Sequence, residues 1–166
     1  MYQIKAATVN DIPLIQELTE KIWRPTYQSI LTPEQIEYML EMMYSTASLN
    51  KQIAELQHQF LILTDDENPI GFAAYSTTDT PDVYKLQKIY LDFSYQGKGV
   101  GKLLLQEVAD QVKARGANIL ELDVNRFNKA KLFYEKQGFS VYKEKNTDIG
   151  RGYLMEDFVM QLRVWH

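Results

Sequence analysis

Gly97, Gly99 and Gly101 alternate with Lys98, Val100 and Lys102 in the string SYQGKGVGK, Ser94 to Lys102. Glycine opens backbone conformations closed to other residues and leaves room for a ligand to approach the chain. Consecutive amides in such a turn can converge on one anion, and a helix starting just after it adds its free N–H groups and dipole. Lys98 and Lys102 add charge, so the string reads as a pyrophosphate site. Two other glycine loops do not fit. A P-loop needs glycine where Gln96 stands and Ser or Thr where Leu103 stands, and in a G-x-G-x-x-G fingerprint the third glycine would come one residue later. The plain alternative is a flexible turn with no ligand.

Other chemistries lack their residues. The chain has no cysteine and only two histidines, His58 and His166. Disulfides, cysteine zinc sites and catalytic thiols are thereby excluded. A Ser-His-acid mechanism would have to use His58 or the last residue, which speaks against it. With 166 residues and 45% apolar content the chain suits one domain with a real core, spanning 1–166. The net charge of −4 argues against general nucleic-acid binding. That charge is uneven: residues 1–84 carry 12 acids against 4 bases, whereas residues 85–138 carry 10 bases against 6 acids. The basic middle contains the glycine turn. No signal-like or membrane-length apolar run is present, so a cytoplasmic protein without a membrane partner is expected.

The elements around the turn follow from hydrophobic periodicity. Ile4 to Val9 predicts a strand. Asn10 is placed to cap a helix with Leu14, Ile15, Leu18 and Ile22 on its apolar face. Thr32-Pro33-Glu34-Gln35 is a helix start with a Thr cap and Pro in the first turn. A further helix carries Leu49, Ile53 and Leu56. Phe60–Thr64 and Ile70–Thr77 form a hairpin about Glu67-Asn68-Pro69. Tyr84–Phe93 is a strand whose parity slips, since Leu86 lies on one alternation and Ile89, Leu91 and Phe93 on the other. That slip predicts a bulge near Gln87-Lys88. A long helix follows on Val100, Leu103, Leu104, Val108 and Val112. Then come a strand from Ile119 to Val124, a helix from Asn128 to Gln137, and strands Phe139–Lys145 and Tyr153–Val164. The fold class is mixed α/β, a mixed sheet flanked by helices.

The string Gln96-Gly97-Lys98-Gly99-Val100-Gly101 resembles the Q/R-x-x-G-x-G/A motif of the GCN5-related N-acetyltransferases, the GNAT superfamily. LQKIYLDFSY before it and LELDVNRFNKAKLFYEKQGF after it are similar to that family's flanking segments. Asn128, Ala130, Phe133, Tyr134, Gly138 and Phe139 of the second string are in register. The resemblance implies a mostly antiparallel sheet with a bulged, splayed fourth strand, and acetyl-CoA as cosubstrate with no metal. It implies that backbone groups of Ile89 and Leu91 pair with the pantetheine arm. The amides of Gly97, Lys98, Gly99, Val100, Gly101 and Lys102 would then hold the pyrophosphate, with Gln96 ordering the loop. Asn128 would hydrogen-bond the cofactor, and Lys131 would reach a phosphate.

Amine attack on a thioester leaves an oxyanion and a thiolate. The Leu91 N–H could stabilise the first. Tyr134, at the family's position, is placed as the acid for the second, since a phenol at ~10 can protonate a thiolate at ~8.5. The plain reading of Tyr134 is helix core. Glu20, Glu41 and Asp157 are unranked candidates for the base.

The segment ELTEKIWRPTYQSILTPEQIEYMLEMMYS and the terminal GRGYLMEDFVMQL resemble the PaiA-like spermidine/spermine N-acetyltransferases. That resemblance implies a small primary amine, such as a polyamine, as acceptor. Trp23, Tyr27 and Tyr38 would line an aromatic pocket for its ammonium group. Acetylation of a protein or peptide amine and a non-catalytic CoA-binding regulatory module are the alternatives, and a homodimer stays open.

Overall fold

The computed structural model describes residues 1–164. Seven strands are present: β1 (Tyr2–Ala6), β2 (Gln59–Asp65), β3 (Asn68–Thr77), β4 (Val83–Leu91), β5 (Ile119–Asn125), β6 (Ser140–Gly150) and β7 (Tyr153–Arg163). The helices are α1 (Ile12–Tyr27), α2 (Pro33–Tyr44), α3 (Thr46–Asn50), α4 (Val100–Ala114) and α5 (Ala130–Lys136). The strands form one sheet in the order β1-β2-β3-β4-β5-β7-β6. The β1–β2, β2–β3, β5–β7 and β6–β7 pairs are antiparallel, and β4–β5 is parallel. This is the mixed, mostly antiparallel sheet of the expected fold.

The chain divides into two compact units. The first comprises Met1–Ser76 and Gln87–Val108. Its core is the apolar stripe of α1 (Ile12, Ile15, Leu18, Ile22, Trp23) together with Ile36, Met39 and Leu40 of α2 and the buried residues of β2 and β3. Each fully buried Ile or Leu contributes about 1.5–3 kcal/mol over an exposed one. The second unit comprises Thr77–Leu86 and Ala109–His166, with Leu120, Leu122 and Val124 of β5 buried on the face of Met160 of β7, and Val159 buried on the other face.

Several local expectations hold. The Thr32 side chain accepts from Gln35 N at 3.2 Å and caps α2, with Pro33 in the first turn. Three others need correction. Thr8, not Asn10, makes the first cap: its hydroxyl accepts from Asn10 N while Asp11 Oδ2 accepts from Thr8 N, a reciprocal capping box ahead of α1. The β2–β3 turn lies on Asp66 and Glu67, at φ +47° and +73°, so β3 already begins at Asn68. Two left-handed residues match the right-handed strand twist, and Pro69, with φ held at about −65°, cannot take such a place. Leu103 is exposed, and Leu105 takes its place on the buried face of α4.

The β4–β5 ladder runs from Val83↔Ile119 to Leu86↔Leu122, one step short of the Gln87-Lys88 parity slip. Register shifts occur between Leu63 and Thr64 and at two points of β6. Hydrophobic alternation did not foretell them. His166 lies outside the described residues.

Candidate functional site

The end of β4 and the glycine turn are built in the first unit. The Asp92 N–H donates to Ile70 O of β3 at 2.8 Å. One residue on, Gly71 faces the carbonyl of Tyr90 so closely that a Cβ there would stand 2.6 Å from it. Asp92 Oδ1 accepts from both Ser94 N and Ser94 Oγ at 3.0 Å, and Oδ2 from Lys21 Nζ of α1 at 2.6 Å. The Lys21 ammonium holds the Asp92 carboxyl below the usual aspartate value, and the Ser94 donors act the same way against burial. Tyr95 donates to Asp65 Oδ2 at 2.8 Å, and the Lys98 ammonium lies 5.6 Å from the Tyr95 ring centroid. The chain therefore leaves Leu91 through a pinned segment.

Beyond it, Gly97 and Gly99 both take φ +78°, with open space where a Cβ would sit. Gln96, Lys98 and Lys102 are exposed, and α4 starts at Val100. Left-handed residues alternating with an ordinary one turn successive amides toward one side. A helix's first N–H groups have no intrahelical partner. Amides so arranged can converge on one anion.

Trp23 and Tyr27 belong to an aromatic cluster of the same unit. The Trp23 ring centroid lies 4.4 Å from Tyr27, 5.7 Å from Tyr44 and 6.0 Å from Tyr90. The Tyr27 and Tyr90 hydroxyls are 3.1 Å apart. Trp23 is 1% exposed and Tyr27 9%, whereas Tyr38 on α2 is half-buried. The cluster already holds a cation: Lys88 Nζ lies 5.5 Å from the Tyr44 and Phe60 ring centroids and donates to Gln52 Oε1 at 2.7 Å. Burial, with Tyr27 adding to it, raises the Tyr44 phenol far above its ordinary value. Sequence reasoning missed Lys88, Tyr44 and Tyr90, since nothing in their spacing ties them to α1.

In the second unit Tyr134 is 8% exposed and meets Phe133 and Phe139 edge-on at 5.5 and 5.8 Å. Asn128 Oδ1 accepts from Ala130 N at 2.9 Å and so orders the start of α5. Lys131 Nζ lies 4.9 Å from the Phe158 ring centroid and 3.8 Å from Glu135 Oε1. A charged group on β4–β7 was not expected as a group. Lys85 and Lys145 both reach Asp123 Oδ2, at 2.9 and 3.2 Å, and Asp157 lies buried nearby on β7. Of the other two base candidates, Glu20 is exposed and paired with Arg24 at 3.0 Å, and Glu41 is exposed.

A mixed sheet whose fourth strand runs through a glycine turn into a helix offers the kind of anion-binding turn that an acyl-CoA-dependent acyltransferase needs. The comparisons make this specific. Residues 27–157 match the acetyltransferase (GNAT) domain. The spermidine N(1)-acetyltransferase of Thermoplasma acidophilum is 30% identical over 159 residues, covering 93% of this chain and 95% of that one. The [ribosomal protein bS18]-alanine N-acetyltransferase of Haemophilus influenzae is 38% identical over 93 residues, 56% of this chain and 59% of that one. Among solved structures, the PaiA N-acetyltransferase of T. acidophilum in complex with coenzyme A superposes with a TM-score of 0.81 at 28% identity, covering 98% of this chain and 99% of that one. The chain belongs to the GNAT acetyltransferase family and is an acetyl-CoA-dependent N-acetyltransferase of GNAT type. Among the described residues no cluster of side chains could hold a metal ion, and no helix is long and apolar enough to cross a membrane.

Proposed function

We propose that the protein transfers the acetyl group of acetyl-CoA directly to a primary amine of a polyamine such as spermidine or spermine. The observation that carries the substrate class is the relationship along nearly the whole chain to a spermidine N(1)-acetyltransferase. The excess of acids over bases in residues 1–84 supports it, because a polycation gains from an acidic approach within the ~8 Å screening length. In this reading the whole of 1–166 acts as one acetyltransferase domain, in the cytoplasm, on a small molecule and not on nucleic acid or membrane.

The backbone of Ile89 and Leu91 binds the pantetheine arm. The amides from Gly97 to Lys102 hold the pyrophosphate, Gln96 orders the loop, and Asn128 and Lys131 complete the grip. When bound, acetyl-CoA supplies the thioester carbonyl that the amine attacks. Leu91 N–H donates to the oxygen where negative charge develops, and the pinning of Asp92 limits how far that amide can drift. The Tyr134 phenol protonates the departing sulfur, and no covalent enzyme intermediate is needed. Trp23, Tyr27 and Tyr38 wall the acceptor side, with Trp23 as packing behind Tyr27.

A second reading, acetylation of a protein N-terminus, is favoured by the 38% identity to the bS18-alanine enzyme over part of the chain. Thiol release from acetyl-CoA, measured against spermidine, spermine, diamines and N-terminal peptides, separates the two. Release with polyamines and not with peptides is the expected result. Cofactor binding without release on any amine would favour a regulatory module instead. Tyr134→Phe should lower kcat about 100-fold or more while acetyl-CoA affinity stays within twofold; an unchanged kcat removes Tyr134 as the acid.

A further inference from the structure

Asp157 of β7 stands opposite Asn125 of β5 on one side and Lys145 of β6 on the other. Residues directly opposite across a ladder project to the same face. That face also carries Asp123, on which the ammonium groups of Lys85 and Lys145 converge. Arg126, just past β5, donates from Nη2 to Asn146 Oδ1 at 2.6 Å, and its Nε lies 4.0 Å from Glu144 Oε1. Lys85 and Lys145 are thus engaged on Asp123, whereas Arg126 Nε is itself buried without a hydrogen-bond partner among the described residues. Asp157 itself is 4% exposed, and its Oδ2 has no hydrogen-bond partner among the described residues.

A buried carboxylate oxygen without a donor is destabilising and calls for an explanation. Burial, and secondarily the Asp123 charge, push the Asp157 pKa up to about 6, against the opposing pull of Lys145, Lys85 and Arg126. The opposite face of β7 belongs to α5: Lys131 lies over Phe158, and Leu162 closes on Gly138. By the period of two, Asp157 points away from α5, the helix that bears Tyr134. Such an arrangement keeps a proton acceptor and a proton donor from pairing with each other.

We propose that Asp157 is the catalytic base, taking a proton from the substrate's ammonium group so that the nitrogen can attack. This rests on the acetyl transfer proposed above. The ammonium gives one proton to Asp157 and becomes a neutral amine. The C–N bond forms and the C–S bond breaks. The proton that Tyr134 gives to sulfur is replaced by the second proton leaving nitrogen, and Asp157 returns its own to solvent, so one proton is released per turnover. A carboxylate near 6 accepts from an amine of pKa ~10.4 about 100 times more favourably than one at ~3.9.

The test follows thiol release by the full chain at saturating acetyl-CoA from pH 5 to 9, with whichever amine turns over fastest. Wild-type kcat should fall on the acid side with an apparent pKa near 6. Asp157→Asn should lower kcat about 100-fold at pH 7 and lose that limb, its rate rising steadily with the free-amine fraction. Asp157→Glu should restore part of both, and acetyl-CoA binding by calorimetry should stay within twofold in all three. A wild-type profile flat from pH 5 to 8, which needs no variant, overturns the inference. So does Asp157→Asn within twofold of wild type, or a variant that loses acetyl-CoA binding together with rate. No release with any amine overturns both this and the acetylation reading, whereas release without the acid limb overturns only this one.

Discussion

Gly71 shows how much one residue controls at the end of β4. Glycine there is a matter of space, because the Tyr90 carbonyl occupies the place a methyl group would take. Gly71→Ala must push the Tyr90–Leu91 backbone away, at about 1–3 kcal/mol for overpacking. The expected outcome is a lower Tm together with a several-fold higher KM for acetyl-CoA. A variant with lowered Tm and unchanged KM would mean that the displacement stops short of the Leu91 amide. Lys88 makes a related point with a charge. Its ammonium fills the cation–π position on Tyr44 and Phe60.

Among elements, the junction from β4 into α4 is held mainly through Asp92. Its two oxygens tie the strand end to Ser94 and to Lys21 of α1, and its N–H ties it to β3. Asp92→Ala leaves the Ser94 donors without their acceptor and frees the turn. We expect about a tenfold rise in KM for acetyl-CoA, equivalent to ~1.4 kcal/mol, with the KM for amine within twofold. Lys21→Ala should do less, since an ion pair with one exposed partner is worth ~0–1 kcal/mol. Equal effects on both KM values would place Asp92 in general folding instead of cofactor binding. Periodicity and caps made most helices and strands legible beforehand, because both depend on residues within a turn of one another. The β2–β3 turn slipped by one residue because Glu67, a type that rarely does so, takes a left-handed conformation beside Asp66.

For the molecule as a folding unit, Asp157 sets a pH dependence of stability. Its folded pKa, about 6, is raised above that of the unfolded chain, so between ~4 and 6 the native state holds the extra proton and ΔG of unfolding falls as pH rises. Asp157→Asn should therefore be more stable than wild type at pH 8, on the order of 1–3 kcal/mol, with the gain vanishing below pH ~4. Chemical denaturation at the two pH values measures this. A variant less stable at pH 8 would mean that Asp157 is structurally satisfied.

The uneven charge, the missing cysteine, the glycine turn and the tyrosine of α5 were readable from the chain alone, and with them the acetyltransferase class. These are contiguous signals, and the chemistry of an anion turn is carried by neighbouring amides. The ranking of the three base candidates was not readable. Glu20, Glu41 and Asp157 are equivalent as letters. Only the tertiary structure exposes the two glutamates and buries the aspartate, by bringing residues 85, 123, 145 and 157 onto one face of a sheet. Burial and cross-strand pairing are long-range properties, and a carboxylate's proton affinity is set by them.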